Sequence, residues 1–272
     1  MKVALLVALA AATVVPASSV RFLESRQTSA GGFAERGEAP SPQLTAWAAL
    51  GLRAAGSEPS GAAGYLAAHE PELRSATDVA LGVLGTHAAG GDPARLLGRL
   101  HRLERRSGAI GPLVNSTVWA VIALRQEGER VPPRTVRYLL AHQSRNGGWA
   151  WSAGGEPDSN DTAAAIEALR AVGVRASAKS ITRGLRSLRR FQNRDGGFEL
   201  TPGRGSDTQS TAWAIQAFVA AGRSPGRAAF AYLGRLRRRD GSYRYSARYV
   251  TTPVWVTAQV LPALARKPFP LR

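Results

Sequence analysis

The sequence predicts an all-α protein, an α6/α6 toroid built from six helical hairpins, and three observations carry that expectation. First, a phrase made of glutamine, three residues, glycine, one residue and an aromatic occurs three times. It runs from Gln27 to Phe33, from Gln143 to Trp149 and from Gln192 to Phe198, with a worn copy from Arg237 to Tyr243. Second, six threonines that open alanine-rich segments divide the chain: Thr45, Thr77, Thr117, Thr162, Thr211 and Thr257, at intervals of 32, 40, 45, 49 and 46 residues. A period of this size is the signature of stacked supersecondary units. Third, the segments after these threonines are apolar on every side, as helices buried nearly all round must be. Their small side chains let helices crowd about an axis, which favours a closed ring over an open solenoid.

Taken in chain order, residues 1–19 have the layout of a secretory leader. Lys2 is the charged start, Val3 to Val15 is an apolar run too short to span a bilayer, and Pro16 to Ser19 is a small-residue cleavage region. The competing expectation is a first helix of the fold. On the leader reading the toroid fills residues 20–272 and the protein is secreted or held in the cell envelope; the absence of cysteine is compatible with export. The clearest inner helices are Thr45–Gly56, Thr162–Gly173 and Thr211–Gly222, each ending on a glycine suited to the positive φ of a helix C-cap. Outer helices precede the repeated phrase, as in Val136–His142 and Ile181–Phe191, with apolar residues on one face and arginines on the other. The glycine pair then turns the chain sharply. The aromatic packs under the turn, and the glutamine (Gln27, Gln143 or Gln192) bonds backbone groups left free at a neighbouring helix end.

The formal charge is +17, and arginines cluster at 102–106, 186–194 and 235–239. Such a balance suits an anionic membrane or cell-wall surface, or simply a solvated face. The clusters lack the interleaved aromatics of a single-strand binder, so no nucleic-acid partner is expected. Without cysteine, and with His69, His87, His101 and His142 scattered, no metal or cofactor site is expected. Phosphate-cradling glycine loops and nucleophile elbows are also missing.

Two residues before the threonine, four units carry an amide: Gln43, Asn115, Asn160 and Gln209. In a ring these lie at one height and form a partial belt at one mouth of the lumen. Ser116, Asp161 and Ser210, just before the threonine, are expected to cap their helices. Asp158 and Asp207 stand three residues earlier, where they either order the loop or face a ligand. Trp47, Trp119 and Trp213 recur two residues after the threonine and are expected to pack between helices. Trp151, Tyr243, Tyr245 and Trp255 do not recur in that way and are better placed to wall a ligand. Asp158 or Asp161 against Asp207 is the one pair of carboxylates that a glycosidase-type lumen would need.

The glutamine–glycine–aromatic phrase resembles the QW motif of squalene–hopene cyclases, and the whole repeat resembles the prenyltransferase and squalene-oxidase repeat family over nearly everything after residue 20. The resemblance implies the α/α toroid shared by triterpene cyclases, protein prenyltransferase β subunits and transcobalamin-type carriers. Pro157 to Ala163 also resembles the Asp-x-Asp-Asp-Thr-Ala motif of class II terpene cyclases, in which the middle aspartic acid delivers a proton to an alkene or epoxide. That middle position is Asn160 here, and an amide has no acidic proton to deliver. Asp158 and Asp161 remain as the candidate acids, each aligned with a supporting position. The chain is also shorter than a two-domain cyclase.

The expectation is therefore a non-catalytic toroid holding a bulky apolar or polycyclic molecule, an isoprenoid or a corrinoid, with a partner or closing domain over its mouth. Its ligand-facing residues are Gln43, Asn115, Trp151, Asp158, Asn160, Asp207, Gln209 and Trp255, and no residue is assigned as catalytic. The alternatives are a cyclase-like enzyme that uses Asp158 or Asp161, and a scaffold that docks its arginine face on an anionic surface.

Overall fold

The threonine that marks each repeat also fastens it. In a computed structural model that describes residues 15–271, the hydroxyls of Thr45, Thr117, Thr162, Thr211 and Thr257 accept the backbone N–H of Phe33, Ile110, Trp149, Phe198 and Tyr243 at 2.9–3.0 Å. Those five apolar side chains are buried under their turns. The first glycine of each turn supplies the other half of the joint. Gly31, Gly108, Gly147, Gly196 and Gly241 all have φ between +86° and +94°. A Cβ on any of them would lie 2.2–2.6 Å from a backbone carbonyl oxygen, on Gly61, Arg134, Arg183, Ala228 and Ser18 respectively. Only glycine tolerates both the conformation and the approach.

Twelve α-helices result among the described residues. The inner six are α2 (Pro42–Ala55), α4 (Ala76–Ala88), α6 (Val114–Gln126), α8 (Ser159–Ala171), α10 (Thr208–Ala220) and α12 (Pro253–Leu264). The outer six are α1 (Ala17–Glu24), α3 (Ala62–Ala68), α5 (Ala94–Arg102), α7 (Pro133–Ala141), α9 (Lys179–Arg189) and α11 (Arg227–Leu236). Each inner helix packs against the next, and α12 returns to α2, so the ring is closed. Closure is tight: a Cβ on Gly51 of α2 would come within 2.6 Å of the Ala258 carbonyl of α12. These glycine contacts run from the turn to the N-terminal half of an outer helix or the residue before it, and the last turn lands on α1 through Ser18. Among the described residues no helix is long and apolar enough to cross a membrane.

Residues 1–14 of the expected leader lie outside the described residues, whereas Ala17 to Ser19 begin α1 and Ser19 is fully buried. The glutamines act on the backbone as expected. Gln27 Nε2 donates to the Gly31 and Ser60 carbonyls at 2.9 and 2.6 Å, and Gln143 Nε2 to those of Gly147 and Ser180, both at 2.8 Å.

Two details differ from the sequence reading. The inner helices start about one turn earlier than their threonines, so Ser41, Asp158 and Asp207 are the caps, accepting the N–H of Leu44, Asp161 and Ser210. Ser116, Asp161 and Ser210 therefore sit inside the first turn, where a residue gives its own N–H to the cap rather than acting as one. Several arginines of the basic face also have structural work. Arg183 donates to the Ser144 and Arg145 carbonyls, and Arg189 to those of Ser224 and Pro225, bridging one unit to another.

Because the threonine hydroxyl is the acceptor for a buried N–H, Thr162→Val leaves that donor without a partner at unchanged side-chain size. The expected cost is about 1–3 kcal/mol, measured as a lowered midpoint in urea unfolding.

Candidate functional site

Counting from the repeat threonine reads out the lumen wall. Positions two before and two after it are four residues apart, hence on one helix face and separated by about 6 Å along the axis. The upper ring is Gln43, Ser75, Asn115, Asn160, Gln209 and Trp255; the lower ring is Trp47, Val79, Trp119, Ala164, Trp213 and Gln259. Asn115, Asn160, Gln209 and Trp255 of the upper ring and all of the lower ring except Val79 line one cavity of about 340 Å³ at the N-terminal ends of the inner helices. Trp151, Asp158, Asp161 and Leu200 complete its wall.

The axis below this cavity is filled. Trp47, Trp119 and Trp213, from alternate inner helices, meet edge to face with ring centroids 5.3–5.8 Å apart and planes within a few degrees of perpendicular. Such contacts suit the quadrupoles of indole rings. The ring of Phe269 lies against all three at 5.8–6.4 Å. Phe269 belongs to the tail after α12, which covers the C-terminal ends of the inner helices. There its N–H donates to Glu167 Oε2 at 2.6 Å, and Gln126 Nε2 donates to the Leu271 carbonyl at 2.9 Å. Burial pushes the Glu167 carboxyl well above the usual carboxylate range. The lumen is thus a blind cup, open at the amide end and stoppered at the other.

One polar chain crosses the rim. Thr77 Oγ1 donates to Asn115 Oδ1 at 3.0 Å, and Asn115 Nδ2 donates to Asp161 Oδ1 at 2.6 Å. Asp161 is buried and lies against Asp158, with which it shares a hydrogen bond. Desolvation, then the neighbouring Asp158 carboxylate, raises its pKa to about 8, which favours the protonated form. Asp158 combines two places, capping α8 through the Asp161 N–H at 2.8 Å and lining the cavity.

Of the ligand-facing candidates, the fold brings Asn115, Trp151, Asp158, Asn160, Gln209 and Trp255 to this one cavity, with Asp161 among them. Gln43 and Asp207 do not join them. Gln43 is half-buried and is not part of this wall, which Trp255 of the adjoining α12 joins with its ring 6.0 Å from that of Trp47. Asp207 is buried, with both carboxylate oxygens held by Ser210. Of the other aromatic candidates, Tyr243 is buried under its turn and Tyr245 lines a separate cavity beside Asp207. The tryptophan trio departs furthest from expectation: these side chains meet across the axis rather than wedging between helices, and they floor the cavity. Their fixed offset from the threonine was the available signal, since five of the six residues at that offset line the cavity. The same offset marks Gln259, which the sequence reading passed over.

A family model described as squalene-hopene cyclase C-terminal domain matches residues 114–271, more than half of the chain. No curated protein sequence matches the chain significantly. Among solved structures, a protein from Actinoplanes superposes with a TM-score of 0.70 at 20% identity, covering 92% of this chain and 97% of that one. The type II terpene cyclase MstE from Scytonema, solved with its substrate geranylgeranyl dihydroxybenzoate, gives 0.66 at 16% identity over 92% and 95%. Candida albicans protein geranylgeranyltransferase-I, complexed with GGPP, gives 0.62 at 12% over 82% and 83%. The MstE chain is matched over almost its whole length, so a type II terpene cyclase can have about the size of this chain.

A carboxyl whose pKa is higher folded than unfolded binds more protons in the native state, so its contribution to stability falls as pH rises between the two values. For Asp161 that window runs from 3.8 to about 8. Thermal melts across it should therefore show the wild type losing stability with rising pH by as much as about 1.4 kcal/mol per unit, and Asp161→Asn losing distinctly less.

Proposed function

Since this chain belongs to the squalene-hopene cyclase C-terminal domain family, we propose that the cup is a binding site for an isoprenoid chain or a small fused-ring isoprenoid. The observation that carries this reading is the wall itself: five tryptophans from different units face one cavity, with the carboxyls and all the amides but that of Gln259 at its rim. Indole faces bind apolar carbon skeletons and tolerate their developing or permanent positive charge. The polar rim suits an oxygen-bearing head group left at the mouth. At about 340 Å³ the cavity is at the small end of ligand sites, which favours a slim prenyl chain over a corrinoid.

A second reading has one specific observation behind it. Asp161 is a carboxyl on the cavity wall whose protonated form is favoured by burial, beside a second carboxyl and hydrogen-bonded to Asn115. A carboxyl in that state keeps its proton but is a weaker acid than a free one, so transfer to an alkene or epoxide depends on stabilising the carboxylate left behind, which the Asn115 amide can do. The proton donor would then be one residue beyond Asn160, which stands where the resemblance puts the acid.

Trp151 is half exposed at the mouth, so its removal should not disturb the core. With geranylgeraniol titrated calorimetrically, Trp151→Ala should weaken binding roughly ten-fold, while Leu140→Ala on the outer face leaves it unchanged. Binding that is undetectable in the wild type sinks the proposal. For the second reading, mass spectrometry and NMR of a geranylgeranyl-bearing phenol incubated with the protein should show a cyclised isomer from wild type and none from Asp161→Asn. Recovery of unchanged phenol from the wild type removes the catalytic reading and leaves the binding one standing.

A further inference from the structure

The lower ring carries one polar member among its indoles. Gln259, on α12, occupies the register of Trp47, Trp119 and Trp213 and is almost fully buried. Its Oε1 accepts the Trp213 indole N–H at 2.8 Å. An indole nitrogen only donates, so this bond settles the orientation of the amide: the oxygen is turned to Trp213 and the Nε2 group is turned away. Nε2 has no hydrogen-bond acceptor among the described protein groups, although Gln259 is a wall residue of the cup. A buried amide donor without a partner is costly, and that cost is recovered when an acceptor arrives.

We propose that Gln259 is a specificity-determining residue of the lumen, one that selects ligands able to place a carbonyl or ether oxygen among the tryptophans. This rests on the isoprenoid-binding reading and deepens it: the occupant has an oxygen at its leading end as well as any at the rim. A plain hydrocarbon end would leave this donor, which solvent does not reach, without a partner. A hydroxyl can serve through its lone pairs, though it brings a hydrogen that also needs an acceptor. The indole N–H fixes the direction of the Gln259 donor in the way that second-tier hydrogen bonds fix ligating groups elsewhere. Trp213 is thus a positioning residue for it.

The test compares probe pairs of nearly equal shape by titration calorimetry: geranylacetone against farnesene, and fluorenone against fluorene. In the wild type the ketone of each pair should bind about ten-fold tighter than its hydrocarbon. In Gln259→Leu that preference should vanish. Gln259→Glu keeps an acceptor for Trp213, so loss of ketone preference in this variant cannot be laid to a displaced indole; it should favour fluorenol over fluorenone instead. Gln259→Met replaces Gln259→Leu if the latter does not fold. Equal affinities within the wild-type pairs, or a ketone preference that survives in Gln259→Leu, overturns the proposal. If only the tricyclic pair binds and its preference follows Gln259, the isoprenoid reading fails and the role of Gln259 stands. If no probe binds, both fail.

Discussion

Everything in this molecule hangs on a joint made twice over at each turn: a threonine hydroxyl that receives the N–H of a buried apolar residue, and a glycine pressed against the next outer helix. The hydroxyl sets how far the turn sits from its own inner helix. The glycine sets how far it sits from the neighbouring unit. Five units repeat this joint with bond lengths that agree within 0.1 Å, and a repeated rotation of fixed size brings the chain back on itself. The second unit lacks the phrase, and its Thr77 spends its hydroxyl on Asn115 instead. That exception begins the polar chain at the rim, so relief from the structural duty and the appearance of site chemistry coincide.

The same regularity explains why the site is stratified. Helices that enter a ring with one register present the same offsets at the same height, so most amides gather in one plane and three indoles meet in the plane below. The helix N-termini beside the rim favour negative charge, but burial and a second carboxyl outweigh this at Asp161 and favour its protonated form. Asp240 shows the contrast. It lies on an outer turn, and hydrogen bonds from Ser242 pull it below the usual carboxylate range although its partial burial works the other way.

The architecture was legible because it is written in spacings. The threonines, the turn glycines and the alanine-rich runs each recur, and recurrence survives ignorance of any contact. The rim was legible for the same reason, since Asn115, Asn160 and Gln209 share an offset. What escaped was pairwise geometry. Nothing in a single sequence says that Gln43 stays out of the wall that Trp255 joins, or that Asp207 turns both oxygens to Ser210. The tryptophan trio was assigned to packing because recurrence usually means packing. Here it means packing across the axis, where the only neighbours are other units. The α8 and α10 caps were misplaced by about one turn because Asp-x-x-Asp and Asp-x-x-Ser each offer two plausible cap residues, and only the start of the helix decides between them.

Closure has one more effect. In an open solenoid the outermost repeats lack a neighbour on one side and are the first to loosen. Here the Glu35 carboxylate receives the Val254 and Trp255 N–H groups at 3.1 and 3.0 Å, riveting the opening of the first unit to the last inner helix. A hoop has no outermost stave: no unit can fray by itself, and none can be gained or lost singly without altering the curvature of all the others. Divergence in such a protein is thereby channelled into the side chains that point at the hub, where a tryptophan can become a glutamine while the hoop keeps its circumference.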